Sequence, residues 1–169
     1  FIHTSDEIAA IRGGEALRAA ELCGAEYACL GFSDAEINAA DRDQQRAVID
    51  LVRDARPDLI ITHSPGDYMG DHNEISRLVF DCSFHATLPL FETGKPHHDA
   101  VTPIYFMDTV MGLGFHPTEY VDVTSTIETK VALPWTTRAL IGFTSFVHDW
   151  WWVLALLFVV LPLVEIYLL

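Results

Sequence analysis

The chain has 169 residues, enough for one domain with a real core. Twenty-four Asp and Glu face ten Lys and Arg, for a formal charge of −14. That balance repels a polyphosphate backbone and excludes nucleic acid as a partner of choice.

In chain order, "GEALRAAELCG" (14–24) places Leu17, Ala20 and Leu22 toward one side, and Gly24 suits a C′ stop; a helix is predicted. "YACLGF" (27–32) is a short apolar run, expected to be a strand, followed by the polar loop "SDAEINAAD". "DRDQQRAVIDLVRDARPD" (41–58) sets Val48, Leu51, Val52 and Ala55 on one face, with charges elsewhere, and Pro57 ends it. It is the clearest amphipathic helix. "LIIT" (59–62) is an apolar run without alternation, as in a strand covered on both faces, and it leaves His63 at its carboxyl end. From Asp71 the apolar residues Ile75, Leu78, Val79 and Cys82 recur at helical spacing, with Asp71 or Asn73 as cap. "TPIYFMD" (102–108) and "EYVDVT" (119–124) are expected strands, and "STIETKVAL" (125–133) a further helix. Strands alternating with helices imply an α/β class, a Rossmann-like, mostly parallel sheet with helices on both faces.

The end of the chain has a different composition. "WWWVLALLFVVLPLVEIYLL" (150–169) is apolar apart from Glu165 and about as long as a bilayer requires, so a membrane-spanning C-terminal helical segment is expected there. Pro162 and Glu165 interrupt it, and a buried core segment or a joined reading frame gives the same pattern. The organisation expected is a domain over 1–133, a linker over 134–149 and the apolar segment over 150–169. On that arrangement the domain is cytoplasmic, held at a membrane by its C-terminus. The absence of an initiator Met at Phe1 suggests a fragment. Cys23, Cys29 and Cys82 match neither a zinc knuckle nor a CxxC pair, and read as buried thiols of a reducing compartment.

"HSPGDYMGDHNEIS" (63–76) is the stretch with chemistry in it. It joins a strand to a helix, and ligands of open α/β sheets gather at the carboxyl ends of strands. Imidazole and carboxylate are common zinc ligands, and a catalytic zinc takes three protein ligands and a water. Asp71 and His72 are adjacent and cannot easily face one ion together, so the natural division is His72 as ligand and Asp71 as its support. The competing reading is a polar loop that caps a helix. His97, His98 and His116 read as surface residues. No GxSxG, P-loop or GxGxxG is present, which removes serine-hydrolase and nucleotide-binding readings.

The order of these pieces resembles the LmbE/PIG-L-like zinc-dependent N-deacetylases. The likeness runs over about residues 11–133, through "EALRAAELCGAEYACLGFSD", "RPDLIITHSPGDYMGDHNEISRLVFDCSF", "PIYFMD" and "YVDVTSTIETKVAL". It implies a metal-dependent hydrolase removing an N-acetyl group from a small N-acetylated substrate, of N-acetylglucosamine-conjugate type. Under it His72 is a zinc ligand, Asp71 and His63 are catalytic, and Asp34 and Asp67 lie on the substrate side. Another divalent transition metal could replace zinc at such ligands. The family's Ala-His-Pro-Asp-Asp-type motif, which brings two ligands and a general base, is absent from these 169 residues. Met69 stands where many members carry a histidine. The expectation is therefore weak zinc binding and little activity for the polypeptide alone. The alternative is a non-catalytic α/β module binding a sugar or a protein at a membrane. The final stretch resembles loosely the start of an FxsA-like membrane protein.

Overall fold

The computed structural model describes residues 4–109 and 112–133. The linker and the apolar segment expected over 134–169 lie outside the described residues. Among the described residues no helix is long and apolar enough to cross a membrane. The chain divides into two compact units, one holding residues 1–29 and 118–169, the other 30–117.

In the first unit, helix α1 spans Ser5–Cys23. It begins nine residues before the predicted start because Thr4 and Glu7 form a capping box. The Glu7 N–H donates to Thr4 Oγ1 at 3.3 Å, and the Thr4 N–H donates to Glu7 Oε2 at 2.8 Å. At the other end Gly24 adopts φ +65°, the left-handed conformation a glycine reaches without a Cβ penalty. The Ala25 N–H then donates to Ala20 O at 2.9 Å and closes the helix. The unit also contains a 3₁₀ turn over Thr124–Thr126, leading into a short helix over Ile127–Ala132.

Two predicted strands do not form. In 27–32, Gly31 takes φ +70°, which breaks the extended backbone a strand needs. In 119–124, Tyr120, Val121 and Val123 are all exposed, so the alternating pattern has no buried face to satisfy. The Asp122 carboxylate instead accepts the Thr124 N–H at 2.9 Å, a local turn.

The second unit is built on α2 (Arg42–Ala55), β1 (Ile60–Thr62), α3 (Gly70–His85) and β2 (Ile104–Phe106). Asp41 caps α2 by accepting the N–H groups of Asp43 and Gln44. β1 and β2 pair in parallel, with Ile60 opposite Ile104 and Thr62 opposite Phe106. The ladder continues at both ends, from Ile60 N–H to Pro103 O and from Met107 N–H to Thr62 O, each 2.9 Å. With α3 as the crossover this is a βαβ unit. The class is mixed α/β, as expected, but the broad sheet of the expectation is a parallel pair among the described residues.

α2 packs on α3, and their facing side chains make the core: Val48, Ile49 and Val52 with Leu78, Val79 and Cys82, joined by Ile60 of β1. The buried face of α2 is rotated from the predicted one. Gln45 and Arg53 are buried, whereas Leu51 is only partly covered. Arg53 is 4% exposed and reaches no carboxylate; its guanidinium donates to Ala86 O, Leu88 O, Lys95 O and Thr93 Oγ1 at 2.9–3.1 Å. One side chain thereby closes the chain that follows α3 onto the end of α2.

The histidines and cysteines also differ from expectation. His98 is buried, not a surface residue: its Nε2 donates to Thr102 Oγ1 at 3.1 Å, while the Thr102 hydroxyl donates to Pro57 O. Cys82 is buried, and burial pushes its thiol up to about 12. Cys23 and Cys29 are exposed.

Candidate metal and catalytic site

The site grows from the sharp passage out of β1. His63 follows the last strand residue and is buried, as are Thr62 and Ser64 beside it. The turn that follows is held by Asp67 in three ways. Its Oδ1 accepts the Met69 N–H at 3.0 Å, its own N–H donates to Asn73 Oδ1 at 2.8 Å, and its carbonyl accepts from Asn73 Nδ2 at 2.8 Å. Such reciprocal bonding stops α3 from fraying at its start, although the N-cap is Met69 and no side chain caps it. Asp71 and Asn73, the expected caps, lie inside the helix.

With the turn so held, the remaining oxygen of Asp67, Oδ2, stands 2.7 Å from His72 Nδ1. Both side chains are almost fully buried. A carboxylate only accepts, so a proton lies on Nδ1, and in the neutral tautomer this fixes, the Nε2 lone pair faces another partner. The His63 ring lies against His72, centroids 4.3 Å apart and tilted by 43°. Burial pushes His63 down to about 4; His72 pushes the same way, and the negative charge of Asp67 opposes both. His63 is therefore a neutral imidazole near pH 7.

The structure brings His63, Asp67, Asp71 and His72 into one stretch around the start of α3, with the two carboxylates bonded to different partners. The carboxylate that orients His72 is that of Asp67, expected only to line the pocket. Asp71, expected to support His72, is buried with its Oδ2 accepting the Ala35 N–H at 2.7 Å. Asp34 is exposed, in the turn beside that tethered amide. Two residues of this arrangement were missed from sequence. Asn73 locks the Asp67 turn, and Glu74 accepts the Ala39 N–H at 2.8 Å. The signal for Glu74 was its spacing of three from Asp71, which puts both carboxylates on one face of α3.

His72 fits a metal ligand: a buried imidazole, one nitrogen held by a carboxylate and the other unassigned, is the arrangement that outer carboxylates impose on ligating histidines. Among the described residues a complete ligand set is not assembled. Among the described residues no group of three His, Cys, Asp or Glu side chains gathers closely enough to hold an ion.

Comparison with known proteins places this site in context. No curated protein matches the chain. By structure it is similar to GalB, the 4-carboxy-2-hydroxymuconate hydratase from Pseudomonas putida KT2440, with a TM-score of 0.72 and 24% identity over 86% of this chain and 60% of that one. It is also similar to the conserved protein TT1542 from Thermus thermophilus, with a TM-score of 0.63 and 23% identity over 85% of this chain and 63% of the other. The chain thus spans less than two thirds of either protein, and at these identities the likeness is one of fold. The family described as PIG-L, GlcNAc-PI de-N-acetylase, matches residues 2–83, which include α1, the loop with Asp34 and the whole stretch from His63 to Glu74. Residues 2–83 thus match a PIG-L (LmbE-like) domain.

Proposed function

We propose that the protein is a metal-dependent hydrolase that removes an N-acetyl group, from a substrate of N-acetylglucosamine-conjugate type. The observation that carries the reading is the Asp67–His72 pair at 2.7 Å, buried at the carboxyl end of a parallel strand within the matched PIG-L segment. His72 would hold the metal through Nε2. Zinc at such a site polarises an amide carbonyl and acidifies bound water.

The chain's own residues have separable tasks. Asp67 holds His72 in one tautomer and one orientation, so the coordinating nitrogen is presented without reorganisation. His63, in ring contact with His72, would hand to the departing nitrogen a proton taken from the attacking water during C–N cleavage. Met69 precedes α3, and a thioether cannot donate a proton, so no acid stands at that position. Asp34, on its exposed turn, would meet the hydroxyls of the acyl acceptor.

The test is acetate release from an N-acetylglucosaminyl conjugate by the protein purified from its native source, beside the His72→Ala variant made in the same gene. Acetate release that His72→Ala abolishes is expected. No acetate release, or release that His72→Ala leaves intact, would contradict the reading.

A further inference from the structure

The loop over residues 33–39 is held in an unusual conformation. Ala35 adopts φ +60°, left-handed backbone that an alanine keeps only where its surroundings enforce it. Its N–H donates to Asp71 Oδ2 at 2.7 Å, and four residues later the Ala39 N–H donates to Glu74 Oε2 at 2.8 Å. Asp71 and Glu74 lie three apart on α3, on either side of His72 in sequence. α2 grips the same loop: Gln44 Oε1 accepts the Asn38 N–H at 3.0 Å, Gln44 Nε2 donates to Glu36 O at 2.9 Å, and Gln45 Nε2 donates to Ala39 O at 2.6 Å. A polar surface loop needs no such set of side-chain bonds to stay hydrated. Strain that is kept by charged hydrogen bonds from the helix of the site marks a loop whose position matters to that site.

We propose that Asp71 and Glu74 are positioning residues that set the 33–39 loop, and Asp34 on it, as the substrate-side wall of the His72 site. The first turns of α3 then carry the metal ligand and the two tethers of the wall together. A shift of one moves the other. Asp71 acts through Ala35, not on the reacting atoms. The inference rests on the function proposed above.

The experiment is done on the full chain with two readouts, backbone amide exchange by NMR and titration with N-acetylglucosamine. Asp71→Asn and Glu74→Gln keep side-chain shape but remove the charge that holds the amide. Exchange at Ala35 and Ala39 is expected to quicken, and sugar affinity to fall about tenfold, the scale of one charged hydrogen bond. Exchange at Leu78 and Val79, in the middle of α3, is expected to stay unchanged. Adding Ala35→Gly to Asp71→Asn is expected to restore part of the affinity, because glycine holds positive φ unaided, a rescue that general destabilisation would not show. Unchanged exchange at Ala35 and Ala39 overturns the tether. Quickened exchange with undiminished sugar affinity overturns the wall. If the unaltered chain binds no N-acetylglucosamine, the function proposed above fails, and the tether is judged by the exchange result alone.

Discussion

Asp67 Oδ2 lies 2.7 Å from His72 Nδ1, across a turn that Asn73 closes from the helix side. The pair works as one unit, since the carboxylate decides which imidazole nitrogen faces outward. Asp67→Ala is expected to weaken Zn²⁺ binding by about 10- to 100-fold, the usual effect of losing a carboxylate behind a ligating histidine. Direct Zn²⁺ titration followed on the His72 ring by ¹⁵N NMR measures it. Equal affinity in the two proteins would mean that Asp67 does not orient a ligand.

Arg53 carries a second prediction. Its buried guanidinium serves four acceptors on residues 86–95, and Arg53→Met leaves those acceptors without their donor while filling much the same space. A loss of about 3 kcal/mol is expected, the cost of unsatisfied buried acceptors being roughly 1–3 kcal/mol each with partial rehydration at the surface end. Urea unfolding of the two proteins would show it as a lower midpoint at equal slope.

Ile49 is fully buried between α2 and α3. Ile49→Ala is expected to cost about 2–5 kcal/mol, from lost transfer energy and the cavity left behind. Leu51→Ala, on the partly exposed side of the same helix, should cost clearly less. Equal losses would place the buried face where the apolar pattern alone put it.

The start of α1 offers a smaller and more local effect. Thr4→Ala removes the acceptor for the Glu7 N–H and half of the capping box. A cost of about 1 kcal/mol is expected, with faster amide exchange confined to the first turn of α1. Exchange that quickens along the whole helix would mean the cap governs more than its own turn.

Much of the second unit was legible because its signals were local. The apolar spacing in 41–58 gave α2, and the bare "LIIT" run before a polar turn gave β1 and the position of His63. The early start of α1 was legible too, in the Thr4-to-Glu7 spacing, but the Gly13–Gly14 pair obscured it. Other features were not written in any local pattern. Whether 119–124 forms a strand depends on a partner and a buried face, which the alternation itself does not supply. Arg53 reads as polar surface because its acceptors lie about 35–40 residues further along the chain. The different partners of Asp67 and Asp71 have the same origin. Both carboxylates sit near His72 in sequence, and the contact of Asp71 with Ala35 lies 36 residues away, beyond any local pattern.

In the proposed site His72 offers Nε2 to a metal while Asp67 retains Nδ1. The most direct measurement is ¹⁵N NMR of the imidazole side chains of the full chain as Zn²⁺ is added in excess. A shift at His72 Nε2 is expected, with the Nδ1 proton still present and bonded to Asp67, and no such shift after His72→Ala. A shift at His72 Nδ1, or an unperturbed His72 ring in the presence of Zn²⁺, would contradict it.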